Sequence, residues 1–272
     1  EGWMRSGPAA LTRAWCIFEL AKSLAKRCTL HVLLSPASVQ LFEERMSKPP
    51  AEFEDGLEGW EWVAKLLGGI DVKLAQITKT EDREYILGEV GKLEGGIGAI
   101  NTNVMGALRG WLTTEAKALL EKMPEEERGT STLIDNVATM LKDGGRLAEA
   151  EVLRRERLVA CRAKLGERDP ATLVALSSLA INLQNQDKLA EAEELFREGV
   201  GAKREVLGNE NKETQMSVGL LGRVLQEQGK LDEAEPLCVE AAAWFRANMP
   251  DDVGTVSYVG NLVDLRRQQG RL

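Results

Sequence analysis

Three near-copies of one nine-residue word constrain this chain more than any other feature of its sequence. The words are RLAEAEVLR, KLAEAEELF and KLDEAEPLC. They begin at Arg146, Lys188 and Lys230 and therefore recur every 42 residues. Self-similarity at a fixed period of this length is typical of repeat architectures, in which each copy is one supersecondary unit. The second half of the chain is therefore expected to fold as a row of similar stacked units.

An apolar run with helical spacing precedes each word, and a fourth such run follows the last word. The runs open at threonines spaced by 42 residues, except that the last is one residue early: Thr130, Thr172, Thr214 and Thr255. Leu and Val recur within them at three and four positions, which indicates amphipathic helices. The runs close at residues that favour turn geometry, namely Gly145, Asp187, Gly229 and Gly270. Each repeat is therefore predicted to be a helical hairpin.

Small residues recur where the two helices of each hairpin are expected to cross. They are Ala138, Ala180 and Gly222 in the first helices, and Ala150, Ala192 and Ala234 in the second. One hairpin cannot bury its apolar face alone, whereas three or more stacked hairpins can, and they form a superhelical solenoid. The alternative is a single helical bundle with accidental similarity, which three in-register copies disfavour.

These residues resemble tetratricopeptide repeats. The small-residue and aromatic pattern is clearest in the second repeat, at Ala180, Ala192 and Phe196. The 42-residue spacing and the EAEEL and EAEPL segments are similar to the kinesin-light-chain type. The resemblance covers about residues 129–272 and implies a mainly α fold, an α-α superhelical solenoid. Arg154 and Cys238 stand where the second repeat has Phe196, so the packing there is expected to differ.

The resemblance also implies a concave groove that is lined by the first helices and binds an extended peptide or a helix of a partner protein. The predicted groove residues are Asp135, Asn136, Thr139, Lys142, Ser177, Ser178, Ile181, Gln184, Arg223, Gln226, Asn261, Asp264 and Arg267. A polar stripe of this kind is also what the solvated face of any surface helix shows, so that alternative stays open. Some modules of this family grip a carboxylate with Lys and Asn. Asp135 and Thr139 occupy those places in the first repeat, which argues against a copied clamp.

Residues 1–125 follow a different pattern and are predicted to form a smaller, incomplete α/β domain ahead of repeats at 126–272. Short apolar stretches at 29–34 and 70–77 indicate strands, because they are bounded by turn residues or alternate in polarity. Helices are predicted at 11–27, 35–46, 51–69, 79–93 and within 97–123. The charged segment EKMPEEERG at 121–129 is the predicted hinge between the two halves.

One short motif in this part suggests chemistry. RAWCIFEL at 13–20 is similar to the W-C-L-x-E-L stretch of plant-type TIR domains, through Trp15, Cys16, Glu19 and Leu20. The resemblance implies that Glu19 is a candidate catalytic carboxylate for NAD cleavage, where it would stabilise a developing oxocarbenium ion. Only 14 residues precede Trp15, so an incomplete NAD site is expected. The alternative is that Trp15 and Leu20 are core anchors and Glu19 is a surface residue.

Composition disfavours several other functions. The net charge of −8 is unlike that of a nucleic-acid-binding protein, which normally presents a basic face. Four well-separated cysteines and a single histidine favour neither a disulfide framework nor a metal site, and they fit a reducing compartment, the cytoplasm. The uncharged runs are too short to span a membrane. The glycine-rich EGGIGAIN at 94–101 matches no phosphate-binding motif, so no cofactor is expected.

The sequence therefore favours a cytoplasmic, non-enzymatic scaffold or adaptor that presents a groove to a protein or peptide partner, without nucleic acid or membrane. One alternative is a TIR-like protein that cleaves NAD or self-associates, with the repeats as its sensor. Another is a purely structural spacer. The first helix of a fourth repeat closes the chain, so either further chain or a frayed end is expected.

Overall fold

The structure is a computed structural model that describes residues 36–57, 59–68, 84–85, 88–89, 92 and 96–271. These residues form helices and turns, and no strand occurs among them. The prediction of a mainly α, repeat-type solenoid is confirmed. The predicted strands at 29–34 and 70–77 lie outside the described residues.

Two compact units make up the chain, Glu1–Arg146 and Leu147–Leu272. The predicted domain boundary at residue 126 stays a prediction. In the first unit the described helices are α1 (Pro36–Ser47), a 3-10 turn (Pro50–Glu52), α2 (Gly59–Gly68), α3 (Gly96–Lys122), α4 (Glu125–Arg128) and α5 (Thr132–Asp143). Helices α1, α2, α3 and α5 all contact one another. The single helix predicted over 51–69 is divided, because the chain turns at Gly56 with a φ of 60°.

The second unit is a series of helices in which each contacts the next along the chain. They are α6 (Leu147–Leu165), α7 (Pro170–Gln184), α8 (Leu189–Leu207), α9 (Lys212–Glu227), α10 (Leu231–Asn248) and α11 (Val253–Gln268). Helices α7, α9 and α11 are first helices of the predicted repeats. Helices α6, α8 and α10 are second helices, and each begins with one of the nine-residue words.

Each first helix of the second unit begins at a capped residue. The side chains of Asp169, Asn211 and Asp252 accept hydrogen bonds from the backbone N–H two residues further on, at 2.7–2.8 Å. Such caps satisfy backbone donors that have no partner inside the helix. The recurring threonines then secure the preceding loop. Thr172 donates to the carbonyl of Gly166, and Thr255 donates to that of Met249.

The turns between first and second helices repeat the same backbone geometry. Gly145, Gly229 and Gly270 have φ values of 77°, 76° and 70°, and Asp187 has a φ of 60°. This left-handed region costs glycine nothing, because glycine has no Cβ, but it is unfavourable for most other residues. Asp187 is therefore the strained member of this set.

The small residues lie where the hairpin helices cross. Ala180 and Ala192 are fully buried between α7 and α8, and Ala234 is fully buried in α10. At Gly222 in α9, an added Cβ would lie 2.8 Å from the Sγ of Cys238 in α10. The larger core side chains, among them Leu176, Leu179, Phe196 and Val224, surround these crossings. This packing fixes which face of each first helix points away from the core.

Candidate protein-binding surface

The predicted groove residues fall into both units. Nine of them lie on the first helices of the second unit and are called the first-helix surface: Ser177, Ser178, Ile181, Gln184, Arg223, Gln226, Asn261, Asp264 and Arg267. The other four, Asp135, Asn136, Thr139 and Lys142, lie on α5 of the first unit. Glu19 and the TIR-like stretch lie outside the described residues, and no comparison supports that resemblance.

Three side chains link α7 to α9 across the first-helix surface. The Nη2 of Arg223 donates to the Oε1 of Gln184 at 2.7 Å. The Nε2 of Gln184 in turn donates to the two carboxylate oxygens of Glu227, at 2.9 and 2.8 Å. The Nε of Arg223 lies 3.7 Å from the same carboxylate. Gln184 is itself buried, at 7% exposed, and both ends of its amide are bonded within the protein. It therefore holds Arg223 and Glu227 side by side on the first-helix surface, and these two side chains are the ones open to a partner.

The remaining first-helix residues have mixed roles. The Asp264 carboxylate lies 3.6 Å from the guanidinium of Arg267, one turn along α11, and both side chains are exposed. Ile181 packs against the core of the unit. The backbone carbonyl of Ser178 accepts a hydrogen bond of 2.7 Å from Arg154. Arg154 occupies the place of Phe196 in the next repeat, so the predicted difference in packing there takes the form of a buried guanidinium.

On α5, Asn136 serves the first unit and not an open surface. It is 4% exposed, its Nδ2 donates to the carbonyl of Met46 at 2.8 Å, and its Oδ1 accepts from the N–H of Trp60 at 3.2 Å. A buried amide with both ends bonded within the protein is not available to a partner, so we remove Asn136 from the candidate surface. Lys142 lies 3.0 Å from Asp143, and Asp135 and Thr139 are half-buried.

A buried lysine lies directly behind Ser177. The Nζ of Lys203, from α8, donates to the hydroxyl of Ser177 at 2.9 Å and to that of Ser217 in α9 at 2.8 Å. Lys203 is 3% exposed, and this burial lowers the pKa of its amine below the usual 10.5. Sequence reasoning missed this cluster. The available signal was a lysine at the 42-residue position where the neighbouring repeats have Cys161 and Phe245.

The second helices present a different arrangement, in which a glutamate, buried at Glu151 and Glu193 and half-buried at Glu235, ties each repeat to the next. Glu151 of α6 accepts from Lys188 at 2.6 Å and from Gln186 at 2.7 Å, both in the turn after α7. Burial acts to raise the pKa of Glu151. The hydrogen bonds from Lys188, Arg155 and Gln186 outweigh it and hold the pKa at about 2.

The same contact is repeated along the unit. Glu193 accepts from Lys230 and Gln228, both at 2.7 Å, and Glu235 accepts from Arg271 and Gln269, at 2.5 and 3.1 Å. We call Glu151, Glu193 and Glu235 the latch glutamates. Because each joins a second helix to the following turn, they fix the spacing of consecutive hairpins.

Arginines on the outer side of the second helices pair with glutamates on the next second helix. Arg155 pairs with Glu191, Arg162 with Glu198, Arg197 with Glu233 and Arg204 with Glu240. These side chains are partly exposed, and such pairs contribute little individually. Together these pairs neutralise most of one another's charge along the exposed side of the second helices.

Neither a metal cluster nor a membrane-spanning helix occurs in the described part of the chain. Within it, no group of three or more His, Cys, Asp and Glu side chains is arranged to hold a metal ion. No helix of the described residues has both the length and the apolar character needed to cross a membrane.

Stacked helical hairpins in register, each with a small-residue crossing and a capped first helix, define a solenoid of α-helical repeats. A sequence model of the tetratricopeptide repeat family matches residues 172–211 and 214–243. The chain therefore carries tetratricopeptide repeats in its second unit, as the sequence resemblance predicted. The curated proteins contain no match.

Solved structures share the fold. The nearly identical TPR-like repeats of a Podosopora anserina protein, assigned as a kinesin light chain, superpose with a TM-score of 0.51 at 18% identity, over 60% of this chain and 80% of that one. A single-substitution variant of the same repeats gives 0.52 at 17% identity, over 60% and 79% of the two chains. BtubC (BKLC) from P. vanneervenii gives 0.51 at 15% identity, over 86% of this chain and 83% of that one. At these identities the similarity establishes the fold.

Proposed function

We propose that this chain is a cytoplasmic scaffold or adaptor, and that it binds a protein or peptide partner in a groove formed by the first-helix surface. The observation that carries the proposal is the contact between Arg223 and Gln184, 39 residues apart and 2.7 Å from donor to acceptor. It supports a continuous surface, because polar side chains from two consecutive repeats meet there. The fold supports the same proposal, since tetratricopeptide repeats are a protein-interaction module.

The chemistry of this surface suits an extended or helical segment. The side chains of Arg223 and Glu227 are 38% and 41% exposed, so a partner can reach both. Gln226 lies beside them and can donate and accept, and the half-buried Ile181 adds an apolar contact. A few such anchors, and not the whole surface, are expected to supply most of the affinity. In this proposal the repeats bind and do not catalyse.

The second helices provide a matched control. Arg204 on α8 has a side chain that is 38% exposed and paired with Glu240, and Arg223 has the same exposed fraction and is paired with Glu227. Reversing either charge therefore makes the same chemical change at the same side-chain exposure, once on a second helix and once on a first helix.

The test selects peptides from a random display library against the full chain and measures their Kd by fluorescence anisotropy. With Arg223→Glu we expect the Kd of the selected peptides to rise about tenfold or more, equivalent to about 1.4 kcal/mol. With Arg204→Glu we expect a change of no more than about twofold. Equal effects of the two substitutions, or no effect of Arg223→Glu, would remove the groove from the proposal. A spacer would enrich no peptide at all.

A further inference from the structure

Two junctions between consecutive repeats differ at three equivalent interior positions, which together are called the layer of that junction. Where α10 meets α11, Phe245 stacks on Tyr258 with ring centroids 4.2 Å apart. The Tyr258 ring also covers Gly219 of α9, where an added Cβ would lie 2.5 Å from the ring. This junction is closed by an aromatic layer.

One repeat earlier, polar residues take the same three places. Lys203 lies 42 residues before Phe245, Ser177 lies 42 residues before Gly219, and Ser217 lies 41 residues before Tyr258, because the fourth repeat is one residue early. Serine is far smaller than tyrosine, so this layer contains less side-chain volume at the Ser217 position. The Nζ of Lys203 reaches across it to both serine hydroxyls.

The charge in this layer has no opposite charge beside it. Within the described residues, the polar partners of the Lys203 Nζ are the two hydroxyls, and no carboxylate forms an ion pair with it. The acidic group that acts on it electrostatically is Glu213, an exposed residue near the start of α9. A buried charge without a counter-charge costs several kcal/mol in a typical protein interior.

The layer also has more donors than acceptors. The ammonium group has three N–H donors, of which two are used. The Ser177 hydroxyl donates a hydrogen bond of 3.1 Å to the carbonyl of Leu173, whereas the Ser217 hydroxyl has no acceptor among the described residues. One ammonium N–H and one hydroxyl therefore remain to bind an acceptor at the same place.

We infer that Lys203, Ser217 and Ser177 form a binding site for one small monovalent anion, a halide or a carboxylate the size of formate. A water molecule would supply an acceptor but would leave the charge uncompensated, whereas an anion satisfies both needs. Lys203 and Ser217 are 3% and 2% exposed, so a peptide side chain cannot reach this place, and the inference is restricted to a small ion. The site shares Ser177 with the first-helix surface but includes neither Arg223 nor Gln184.

The test measures Tm of the full chain at neutral pH and constant ionic strength, as sodium methanesulfonate is replaced by sodium chloride or by sodium formate. For the wild type we expect Tm to rise by about 3 °C for each tenfold increase in chloride above its Kd, as linkage requires. Formate is expected to act in the same way. Lys203→Met should show no such rise, and Ser217→Ala should need more chloride for the same rise.

Lys212→Met is the matched control, because Lys212 is an exposed lysine at the start of α9 and its loss removes the same charge. It should respond as the wild type does. Lys203→Met is expected to fold, since the neighbouring repeats have Cys161 and Phe245 at this place. A wild-type Tm that is indifferent to chloride, or an equal rise in Lys203→Met, would overturn the inference.

A second measurement locates the ion directly. Crystals of the full chain soaked in sodium bromide should give an anomalous peak in contact with the Nζ of Lys203, and crystals of Lys203→Met should lack it. A wild-type map without that peak would also overturn the inference. Neither measurement involves a peptide, so failure here leaves the groove proposal to its own test.

Discussion

The Nζ of Lys188 donates a hydrogen bond of 2.6 Å to the Oε2 of Glu151, 37 residues earlier in the chain. This contact joins a second helix to the turn of the following repeat, and its equivalents at Glu193 and Glu235 do the same. Such a contact has two effects. It fixes the spacing of neighbouring hairpins, and it makes that spacing sensitive to acid, because the acceptor is a titratable carboxylate.

Glu151→Gln is expected to lower the free energy of unfolding at neutral pH by about 2 kcal/mol, allowing for the solvent screening of a half-exposed lysine. The folded pKa of Glu151, about 2, lies below the unfolded value of 4.5. The stabilisation is therefore fully present above 4.5 and is lost as the pH falls towards 2. Urea denaturation between pH 7 and pH 2.5 should show the variant and the wild type converging as the pH falls.

Glu194→Gln is the control for this prediction, because Glu194 is exposed on α8. Its stability should follow that of the wild type over the whole range. A constant offset between Glu151→Gln and the wild type at every pH would show that lost packing, and not the charge, causes the effect.

Lys203→Met is expected to stabilise the protein at neutral pH by about 1–2 kcal/mol in a buffer without halide, because it removes a buried charge. The folded pKa of Lys203 is lowered from 10.5 by burial. Between that folded pKa and 10.5 the unfolded chain binds more protons than the folded protein does, so the free energy of unfolding of the wild type rises with pH. The difference in this free energy between Lys203→Met and the wild type therefore becomes smaller as the pH rises.

The measurement is chemical denaturation of both proteins from pH 7 to pH 10.5. Burial raises the pKa of Cys238 to about 11 and also raises the pKa of Tyr258. Both groups therefore lower the free energy of unfolding as the pH rises. They are present in both proteins, so their effect cancels in the difference between Lys203→Met and the wild type. A difference in the free energy of unfolding between the two proteins that does not change with pH would mean that Lys203 is not the titrating group.

Gly222→Ala is expected to destabilise the protein by about 1–3 kcal/mol, because the new Cβ would lie 2.8 Å from the Sγ and 3.3 Å from the backbone nitrogen of Cys238. Gly201→Ala is the matched control: Gly201 is an exposed helical glycine with nothing within 4 Å of an added Cβ. It should stabilise the protein by about 0.5–1 kcal/mol through helix propensity. Urea midpoints that move in the same direction for both variants would contradict this account of the crossing.

Asp187→Gly is expected to raise the free energy of unfolding by about 0.5 kcal/mol, since relief of the left-handed backbone exceeds the added flexibility of the unfolded chain. Gly229→Asp makes the reverse change at the equivalent turn, where φ is 76°, and should lower stability. Thermal unfolding of the two variants provides the comparison. A stabilised Gly229→Asp would show that this turn does not select for glycine.

The sequence predicted those parts of the fold that depend on neighbours along the chain. The helical hairpins, the turns at Gly145 and Gly229 and the small residues at Ala192 and Gly222 all follow from local spacing and repeat logic. It predicted the candidate surface only in part, because side-chain partners depend on which helices meet.

The side chains that the sequence did not predict are those whose role depends on another helix. Glu227 lies one position beyond the predicted stripe and becomes part of the surface only through Gln184 of α7. Lys203 has the composition of a surface residue, yet it is buried between α7 and α9. Asn136 has the polarity of a groove residue but serves as an internal bridge to Met46 and Trp60.

Hydrogen–deuterium exchange of the full chain, with and without a display-selected peptide, tests the central proposal most directly. The proposal predicts that the peptide slows exchange in the first helices 170–184 and 212–227 more than in the second helices 189–207 and 231–248. Slowed exchange confined to the second helices, with no change in 170–184 or 212–227, would contradict it.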